Sequence, residues 1–396
     1  MKITKSGLVA LLTGLVLSFS CQQPKEKAAL APIEITDNHI VDFDKAIVSM
    51  DFIPLRNLAE SPVNLNCSVW DLEVTAQYFI YSTICNPEAK IHFFDLEGNY
   101  LKSFAKNGDG PEEYQNIQGI DFDGNMINIS VGGGMIKQYN LDNFEFVNAI
   151  TIDGNASFIS SITKVHDTNW IYSTWYDGKL DENGEYSVFR IAHTSIDSSS
   201  HLPIHATPLT SEIGEGSIAK LGQSLLLNFA FSDTLYRYEN GITSAYNILD
   251  FGERGLKPED LQMGEEGFQM AVTNQSLVFN MGKIWHTNDI SRITTFALAK
   301  NPNFDLADMQ TFPVHEVFIN HENSNVTAFA SLAGWSNGNG DAKEGYFYEV
   351  LSPDEWIYAL EKNAFGKYGE KLQSLLDKLE DFEDPIVIKY KVAIQD

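Results

Sequence analysis

The sequence has 396 residues, a formal net charge of -27 at pH 7 and three cysteines. This length suits one large domain or two, and such an acidic chain repels nucleic acid and anionic membrane surfaces. Because the charge is spread along the chain and aromatic residues make up 12%, the composition is typical of a solvated, strand-rich exported protein rather than one with an acidic tail.

The first twenty residues predict export. Lys2 and Lys5 precede an apolar run from Gly7 to Leu17, and Cys21 directly follows "LSFS". This order is typical of a secretory signal peptide over residues 1–20, and the run is shorter than the roughly 20 apolar residues of a membrane span. A cysteine at this position resembles the lipobox of bacterial lipoproteins, which implies acylation of Cys21. A secreted protein with a coincidental cysteine is the alternative.

The next segment predicts a linker. Residues 21–45 include "QQPKEKAALAPIEITDNH", which is polar, contains proline and has no apolar period. Such composition favours a flexible tether. The folded domain is therefore expected over residues 46–396.

Two further cysteines flank a predicted hairpin. If "SVWDLEVTAQYFIYSTI" turns at residues 75–77, Val74 faces Tyr78 and Cys67 faces Cys85. Opposed residues of antiparallel strands can lie close enough for a disulfide, and an oxidising compartment permits one. A register shift of one residue would instead leave two buried free thiols, so both outcomes stay open.

A long-period repeat predicts the fold. Strand-like elements recur at successive spacings of 45, 52, 47, 58 and 93 residues, and they begin at Ile91, Ile136, Val188, Leu235, Ile293 and Ile386. Another strand pair precedes each element, including "FQMAVTNQSLVFNM" before the fifth and "VTAFASLAGWSNGNGDAKEGYFYEVL" before the sixth. Two hairpins per repeat predict an all-β, six-bladed β-propeller with four-stranded blades. A β-sandwich would explain the strands but not the period.

The longest spacing predicts a helical insertion over about residues 353–381. Ser352, Pro353 and Glu355 have the order of a capping box with proline at the first helical position. Three- and four-residue steps then give one apolar stripe, which consists of Phe365, Tyr368, Leu372, Leu375, Leu376 and Leu379. We expect this stripe to pack against the propeller.

The N-terminal strand "IVSMDFIPLRN", from Ile47, precedes the first repeat. The sixth repeat has no strand after "IVIKYKVAI". We therefore expect the N-terminal strand to close the ring as the outer strand of blade six, which removes an exposed sheet edge.

The segment "GDGPEEYQNIQ", from Gly108 to Gln118, joins the outermost strand of blade one to the innermost strand of blade two. No lysine, serine or helix follows it as a phosphate-binding loop requires. We therefore interpret it as a corner of the fold. Its crossing of one face places Glu112, Glu113 and Tyr114 near the mouth of the central channel, as candidate ligand-binding residues.

The same stretch, "YLKSFAKNGDGPEEYQNIQGIDFDGNMINIS" followed by "IKQYNLDN", resembles the NHL-type propeller repeat. Together with the lipoprotein signal, "SDTLYRYENG" and "EDPIVIKYK", the chain resembles the six-bladed, NHL- or TolB-like propeller lipoproteins abundant in Bacteroidetes. The resemblance implies a protein anchored to the outer membrane, facing the periplasm or the surface. Some NHL-type propellers are lyases or hydrolases, which implies a channel-sited enzyme as one alternative.

The residues themselves favour a binding module over an enzyme. The nine histidines are scattered, and neither an "HExxH" nor a "GxSxG" motif occurs. The spacing in "SNGNGDAKEG" differs from that of an EF-hand loop, so no metal or cofactor is predicted. Trp175, Tyr176 and Trp335 lie near strand ends, where aromatic rings can bind a glycan, peptide or protein partner or pack between blades.

Overall fold

The computed structural model describes residues 30–56, 68–84, 89–152, 158–166, 168–174, 188–194, 198–204, 206–213, 216–302, 314–331, 340–379 and 384–394. Six sheets form the blades of a six-bladed β-propeller. Each blade has four antiparallel strands, and blade four has an additional parallel strand at its outer edge. The predicted fold class is therefore confirmed.

The strands follow the chain blade by blade. The N-terminal segment contains β1 (Pro32–Glu34), α1 (Phe43–Ala46) and β2 (Ile47–Pro54). Blade one contains β3 (Ser68–Val74), β4 (Phe79–Ile84), β5 (Ala89–Phe94) and β6 (Tyr100–Phe104). Blade two contains β7 (Gly119–Asp123), β8 (Met126–Val131), β9 (Met135–Asn140) and β10 (Phe146–Thr151). Blade three contains β11 (Ile159–His166), β12 (Asn169–Thr174), β13 (Phe189–His193) and β14 (Ser198–His201).

The second half of the chain continues the pattern and adds helices. Helix α2 (Pro208–Ile213) precedes blade four, which contains β15 (Gly216–Leu221), β16 (Ser224–Phe229), β17 (Thr234–Glu239) and β18 (Ile242–Asp250). Helices α3 (Pro258–Gln262) and α4 (Gly264–Asn274) precede blade five, which contains β19 (Leu277–Thr287), β20 (Ile290–Leu298), β21 (Val314–Asn320) and β22 (Val326–Ala330). Blade six contains β23 (Gly340–Lys343), β24 (Tyr346–Leu351) and β25 (Ile386–Val392), with α5 (Pro353–Glu361) and α6 (Gly369–Leu376) between the last two strands.

The ring closes as predicted. Strand β2 pairs antiparallel with β25 and forms the outer edge of blade six. Met50 and Phe52 of β2 are buried in the core of this blade. Blade six therefore combines strands from both ends of the chain, so that the outer edge of β25 is paired.

The predicted tether is wrong for its C-terminal part, since the segment from Pro32 to Ala46 packs on the propeller. Strand β1 pairs in parallel with β18 of blade four, and Ile40 bridges to Ala328 of blade five. Ile33 and Ile35 are buried against blades four and five. Two apolar residues in alternation are too few to distinguish such a strand from linker by sequence.

Two predicted strand assignments in blades five and six are wrong. The segment "FQMAVTN" lies in helix α4, whose buried Phe268, Ala271 and Val272 have the three- and four-residue spacing of a helix face. The hairpin of blade five begins only with β19. The segment "VTAFA" is β22, the outer strand of blade five, and blade six begins at β23.

The helical insertion is confirmed and consists of two helices. The main-chain nitrogen of Ser352 donates to Glu355 Oε2 at 2.7 Å, which completes the predicted capping box of α5. A 3₁₀ turn over Gly366–Tyr368 separates α5 from α6. Phe365 and Leu372 are buried in the core of blade six, as the apolar stripe predicted. No helix in the described ranges has the length and apolar character of a membrane span.

The first hairpin of blade one turns one residue later than predicted, since Val74 pairs with Phe79 rather than Tyr78. A bulge between Val69 and Asp71 then restores the predicted register, and Ser68 pairs with Ile84. Cys67 and Cys85 themselves lie outside the described residues, so their bonding stays a prediction.

Candidate functional site

Charged side chains from the innermost strands meet in the central channel. Lys220 of β15 in blade four forms an ion pair with Asp121 of β7 in blade two, with 3.1 Å between Nζ and Oδ1. Blade three separates these blades, and its inner strand β11 contacts the inner strands of both. Side chains from blades that are not neighbours can meet only by projecting into the channel.

Three further carboxylates interact with this ion pair. The charges of Lys220, Asp121 and Asp341 of β23 all affect the ionisation of Glu73 of β3. The charge of Asp341 also raises the pKa of Asp71 of β3. We name Asp71, Glu73, Asp121, Lys220 and Asp341 the channel cluster.

Backbone donors hold Asp341 of the channel cluster. Asp341 Oδ2 accepts a hydrogen bond from the main-chain nitrogen of Val74 at 2.6 Å, and its Oδ1 accepts one from Ala342 at 2.6 Å. Lys343 Nζ donates to the carbonyl oxygen of Val74 at 3.2 Å. Asp341 and Lys343 therefore join blade six to blade one at the channel, and they fix the position of the carboxylate.

The pKa values of the channel carboxyl groups are raised. Burial raises the pKa of Asp71 to about 7, and the charge of Asp341 adds to the rise. Burial also raises the pKa of Asp341 to about 6 and holds that of Glu73 well above its ordinary range. By solvent-accessible area these three side chains are half-buried. A narrow channel admits water to them, although protein atoms surround them closely. Asp71 and Asp341 therefore change protonation near neutral pH.

The cluster stabilises a positive charge. The Lys220 side chain is 55% exposed, whereas that of Asp121 is 4% exposed. Burial lowers the pKa of Lys220, but Asp121 and Glu73 outweigh this effect and the pKa is raised. Lys283 of β19 lowers the pKa of Asp71, and Lys343 and Lys220 lower that of Asp341, yet the pKa values of both carboxyl groups stay raised. A further cationic group in the channel would therefore stabilise their ionised forms.

Metal binding has no support from the described part of the chain, where no group of three or more His, Cys, Asp or Glu side chains has suitable geometry. A depression of about 530 Å³ lies on the helical insertion and is lined by Leu360, Lys367 and Gln373, among others. None of the channel-cluster residues lines it. We therefore place the candidate site in the channel.

The Gly108–Gln118 loop is a closed corner. Glu113 Oε2 accepts a hydrogen bond from the main-chain nitrogen of Gly110 at 2.9 Å. Lys137 Nζ donates to the carbonyl oxygens of Gly110, Pro111 and Glu113. Polar groups of the loop are thus satisfied from within the fold.

Ligand binding by Glu112, Glu113 and Tyr114 stays a prediction, and the structure shows where each residue lies. Tyr114 is 2% exposed and packs against Phe104 and Tyr139, so its ring is a core residue. Glu113 caps its own loop, and Glu112 is exposed. The carbonyl oxygen of Glu112 accepts from Tyr139 Oη at 2.9 Å. Because Tyr139 lies on the third strand from the channel, these residues lie over the outer part of the blade rather than at the channel mouth.

The other predicted site residues lie outside the described ranges. They are Cys21, Cys67, Cys85, Trp175, Tyr176 and Trp335. Conversely, sequence reasoning did not select the channel cluster. Its available signal is a charged residue inside the first strand of a repeat, as in "WDLEV", "IDFD", "IAKL" and "GDAK".

Comparisons with known proteins agree with the fold. The model of a family described as Domain of unknown function (DUF4934) matches residues 33–391. No curated protein matches the chain. A crystal structure of a Bacteroides fragilis NCTC 9343 protein that is inferred to be exported has 13% identity and a TM-score of 0.66, covering 92% of this chain and 100% of that one. A DUF4221 family member from Bacteroides vulgatus ATCC 8482 has 12% identity and a TM-score of 0.56, covering 88% of this chain and 98% of that one. At these identities the likeness shows the fold alone.

Proposed function

Because this chain belongs to the DUF4934 family, whose function is unknown, and folds as a propeller with a charged channel, we propose that it is a binding module of the cell envelope. The channel cluster binds a ligand that carries a protonated amine, such as a small amine or the basic group of a peptide. The observation that supports this most directly is the Lys220 ammonium, which Asp121 holds across the channel at 3.1 Å.

The proposed ligand class follows from the charges. Asp71, Glu73 and Asp341 converge from blades one and six; burial raises the pKa values of all three, and the charge of Asp341 adds to the rise at Asp71 and Glu73. An incoming cation lowers the energy of the ionised carboxylates, so binding stabilises the site electrostatically and releases protons. The mixed-sign channel also disfavours anionic ligands such as nucleic acid.

Envelope location is supported from two sides. Residues 1–20 have the order of a signal peptide, and the similar Bacteroides fragilis protein is inferred to be exported. Acylation of Cys21 would leave eleven residue steps to the start of β1 at Pro32, or about 40 Å at full extension. The propeller would then remain close to the membrane, with the outer edge of blade four nearest the anchor.

Two finer predictions stay open. A glycan- or protein-binding face that includes Trp175, Tyr176 or Trp335 remains a prediction. So does the alternative of a channel-sited hydrolase or lyase, which no observation in the described residues favours.

The proposal is tested by calorimetric titration with putrescine, a diamine, and with 1,4-butanediol, which matches its length without charge. We expect putrescine to bind and the diol not to bind. Glu73→Gln should weaken putrescine binding by about tenfold, the effect of losing 1.4 kcal/mol. The heat of binding should also depend on the buffer, because binding releases protons.

The matched control is Glu97→Gln, which removes the same charge from an exposed turn. Equal affinity of Glu73→Gln and Glu97→Gln would show only diffuse attraction to an acidic protein and would refute the channel site. Absence of putrescine binding in the wild type would refute the ligand class.

A further inference from the structure

A buried ionic network joins the second and third strands of blade five to those of blade six, and it shares no residue with the channel cluster. Arg292 of β20 donates from Nε to Glu316 Oε2 of β21 at 2.7 Å. Its Nη2 lies 2.9 Å from Glu349 Oε1 of β24, and Tyr390 Oη of β25 donates to the same oxygen at 2.6 Å. All four residues are less than 5% exposed.

The network has more carboxyl groups than cations. One guanidinium faces Glu316 and Glu349, so two ionised carboxylates would leave a net charge of -1 in the blade interface. An uncompensated buried charge costs several kcal/mol, and in proteins the group usually becomes neutral instead. Charge balance therefore requires one carboxyl group of the pair to hold a proton.

The geometry distinguishes the two carboxyl groups. Glu316 Oε2 accepts an aligned, charge-assisted hydrogen bond from Arg292 Nε, which favours an ionised carboxylate, while Glu316 Oε1 is buried without a hydrogen-bond partner. Nη2 is within ion-pair distance of Glu349, but it is not aligned for a hydrogen bond. Glu355 of α5 adds a further negative charge near Glu349. Ionisation is therefore less favourable at Glu349.

Four neighbouring elements contribute a titratable or charged group that acts on Glu349. They are Arg292 from β20, Glu316 from β21, Tyr390 from β25 and Glu355 from α5. Burial has the largest effect and raises the pKa of Glu349; Arg292 opposes the rise, and Glu316 adds to it. The Arg292 guanidinium carbon also lies 4.4 Å from the centre of the Trp285 ring of β19, a cation–π contact.

We propose that Glu349 holds a proton in the folded protein, and that this proton makes the interface between blades five and six a pH-sensitive latch. The proton leaves the Glu349 carboxyl group as the pH rises, and the network gains a negative charge. Blade six consists of strands from both ends of the chain. Loss of the proton therefore weakens the blade at which the ring is closed.

The protonation state is measured on the full-length protein by infrared difference spectroscopy at about pH 8. We expect the carbonyl stretch of protonated, buried carboxyl groups in the wild type and a weaker band in Glu349→Gln, because Glu73 can contribute to the same band. The band should keep its full intensity in Glu97→Gln, which changes an exposed glutamate. An undiminished band in Glu349→Gln would refute the assignment.

The latch is measured by urea unfolding across the range of pH. One proton held only in the folded state changes the unfolding constant by up to tenfold per pH unit. The unfolding constant should thus rise more steeply with pH in the wild type than in Glu349→Gln. Tyr390→Phe removes a donor that favours the ionised form, and we expect it to retain the proton to higher pH. Equal slopes in wild type and Glu349→Gln would contradict the latch, as would no shift in Tyr390→Phe.

Discussion

Replacing Lys137 with methionine tests whether the Gly108–Gln118 loop is held from within the fold. Lys137 is 7% exposed, and its ammonium donates to Pro111 O at 3.2 Å, to Gly110 O at 3.4 Å and to Glu113 O. Hydrogen bonds to a charged group contribute roughly 1.5–3 kcal/mol each. Methionine removes the cost of burying an ammonium group, and an opened loop can hydrate its carbonyl groups. We therefore expect a net loss of about 2–3 kcal/mol in the free energy of unfolding.

Urea denaturation measures the loss, and hydrogen exchange of the loop amides shows whether the loop opens. Tyr139→Phe is the matched control, because it removes a single hydrogen bond, from Oη to Glu112 O, and should cost about 1 kcal/mol. If Lys137→Met costs no more than Tyr139→Phe and leaves loop exchange unchanged, the loop is not held by the ammonium and the reasoning fails.

Three further predictions concern stability. Asp71→Asn should raise the free energy of unfolding by on the order of 1 kcal/mol at about pH 8. The reason is that the raised pKa of Asp71 destabilises the folded state as the pH rises from 3.8 through about 7. An unchanged urea midpoint would contradict this. Leu372→Ala should cost about 2–5 kcal/mol, because the side chain is fully buried, and a cost below about 1 kcal/mol would mean that the insertion does not support the propeller. Burial lowers the pKa of His321 to about 4, so stability is lost as the pH falls from 6.5 to about 4. His321→Gln should make the thermal unfolding temperature depend less on pH in this range. An unaltered dependence would refute the assignment.

The fold could be predicted because blades repeat. A strand pair that is ambiguous alone becomes convincing when the same pattern recurs six times, and the unpaired edge of β25 required a partner that only the strand from Ile47 offered. The capping box at Ser352 could also be predicted, because it depends on contacts between residues that are close in sequence. The spacing of repeats and the residue types at helix ends are the two features that a single sequence shows directly.

The errors arose where tertiary packing outweighs local pattern. The segment from Phe268 to Asn274 alternates enough to suggest a strand, yet its buried residues face the top of blade five as a helix. Strand β1 has three residues and exists because β18 offers an edge and the neighbouring blades bury Ile33 and Ile35. Neither the residues of blade five that cover α4 nor the edge of β18 that pairs with β1 can be recognised from these two segments alone.

The channel cluster could not be predicted from sequence for a related reason. Asp121 and Lys220 are 99 positions apart, and each resembles an ordinary polar residue of an amphipathic strand. Only the ring, which places inner strands of blades two and four across a channel, brings them together. The loop at Tyr114 was more conspicuous by composition, but its glycines, proline and acids serve a corner whose polar groups are satisfied internally.

Two sets of buried titratable groups act on stability in opposite directions. The carboxyl groups of the channel cluster and Glu349 have raised pKa values, so the folded state binds more protons than the unfolded chain and stability falls as pH rises. His92 and His321 are held neutral by burial within the blades, and their pKa values are lowered to about 4, so stability falls as pH decreases below 6.5. The carboxyl groups lie in the channel, whereas His92 lies on β5 and His321 follows β21, the third strands of their blades. A cationic ligand in the channel can therefore relieve the first penalty but not the second. Ligand binding should therefore extend the stable range toward alkaline pH and leave the acid limit unchanged.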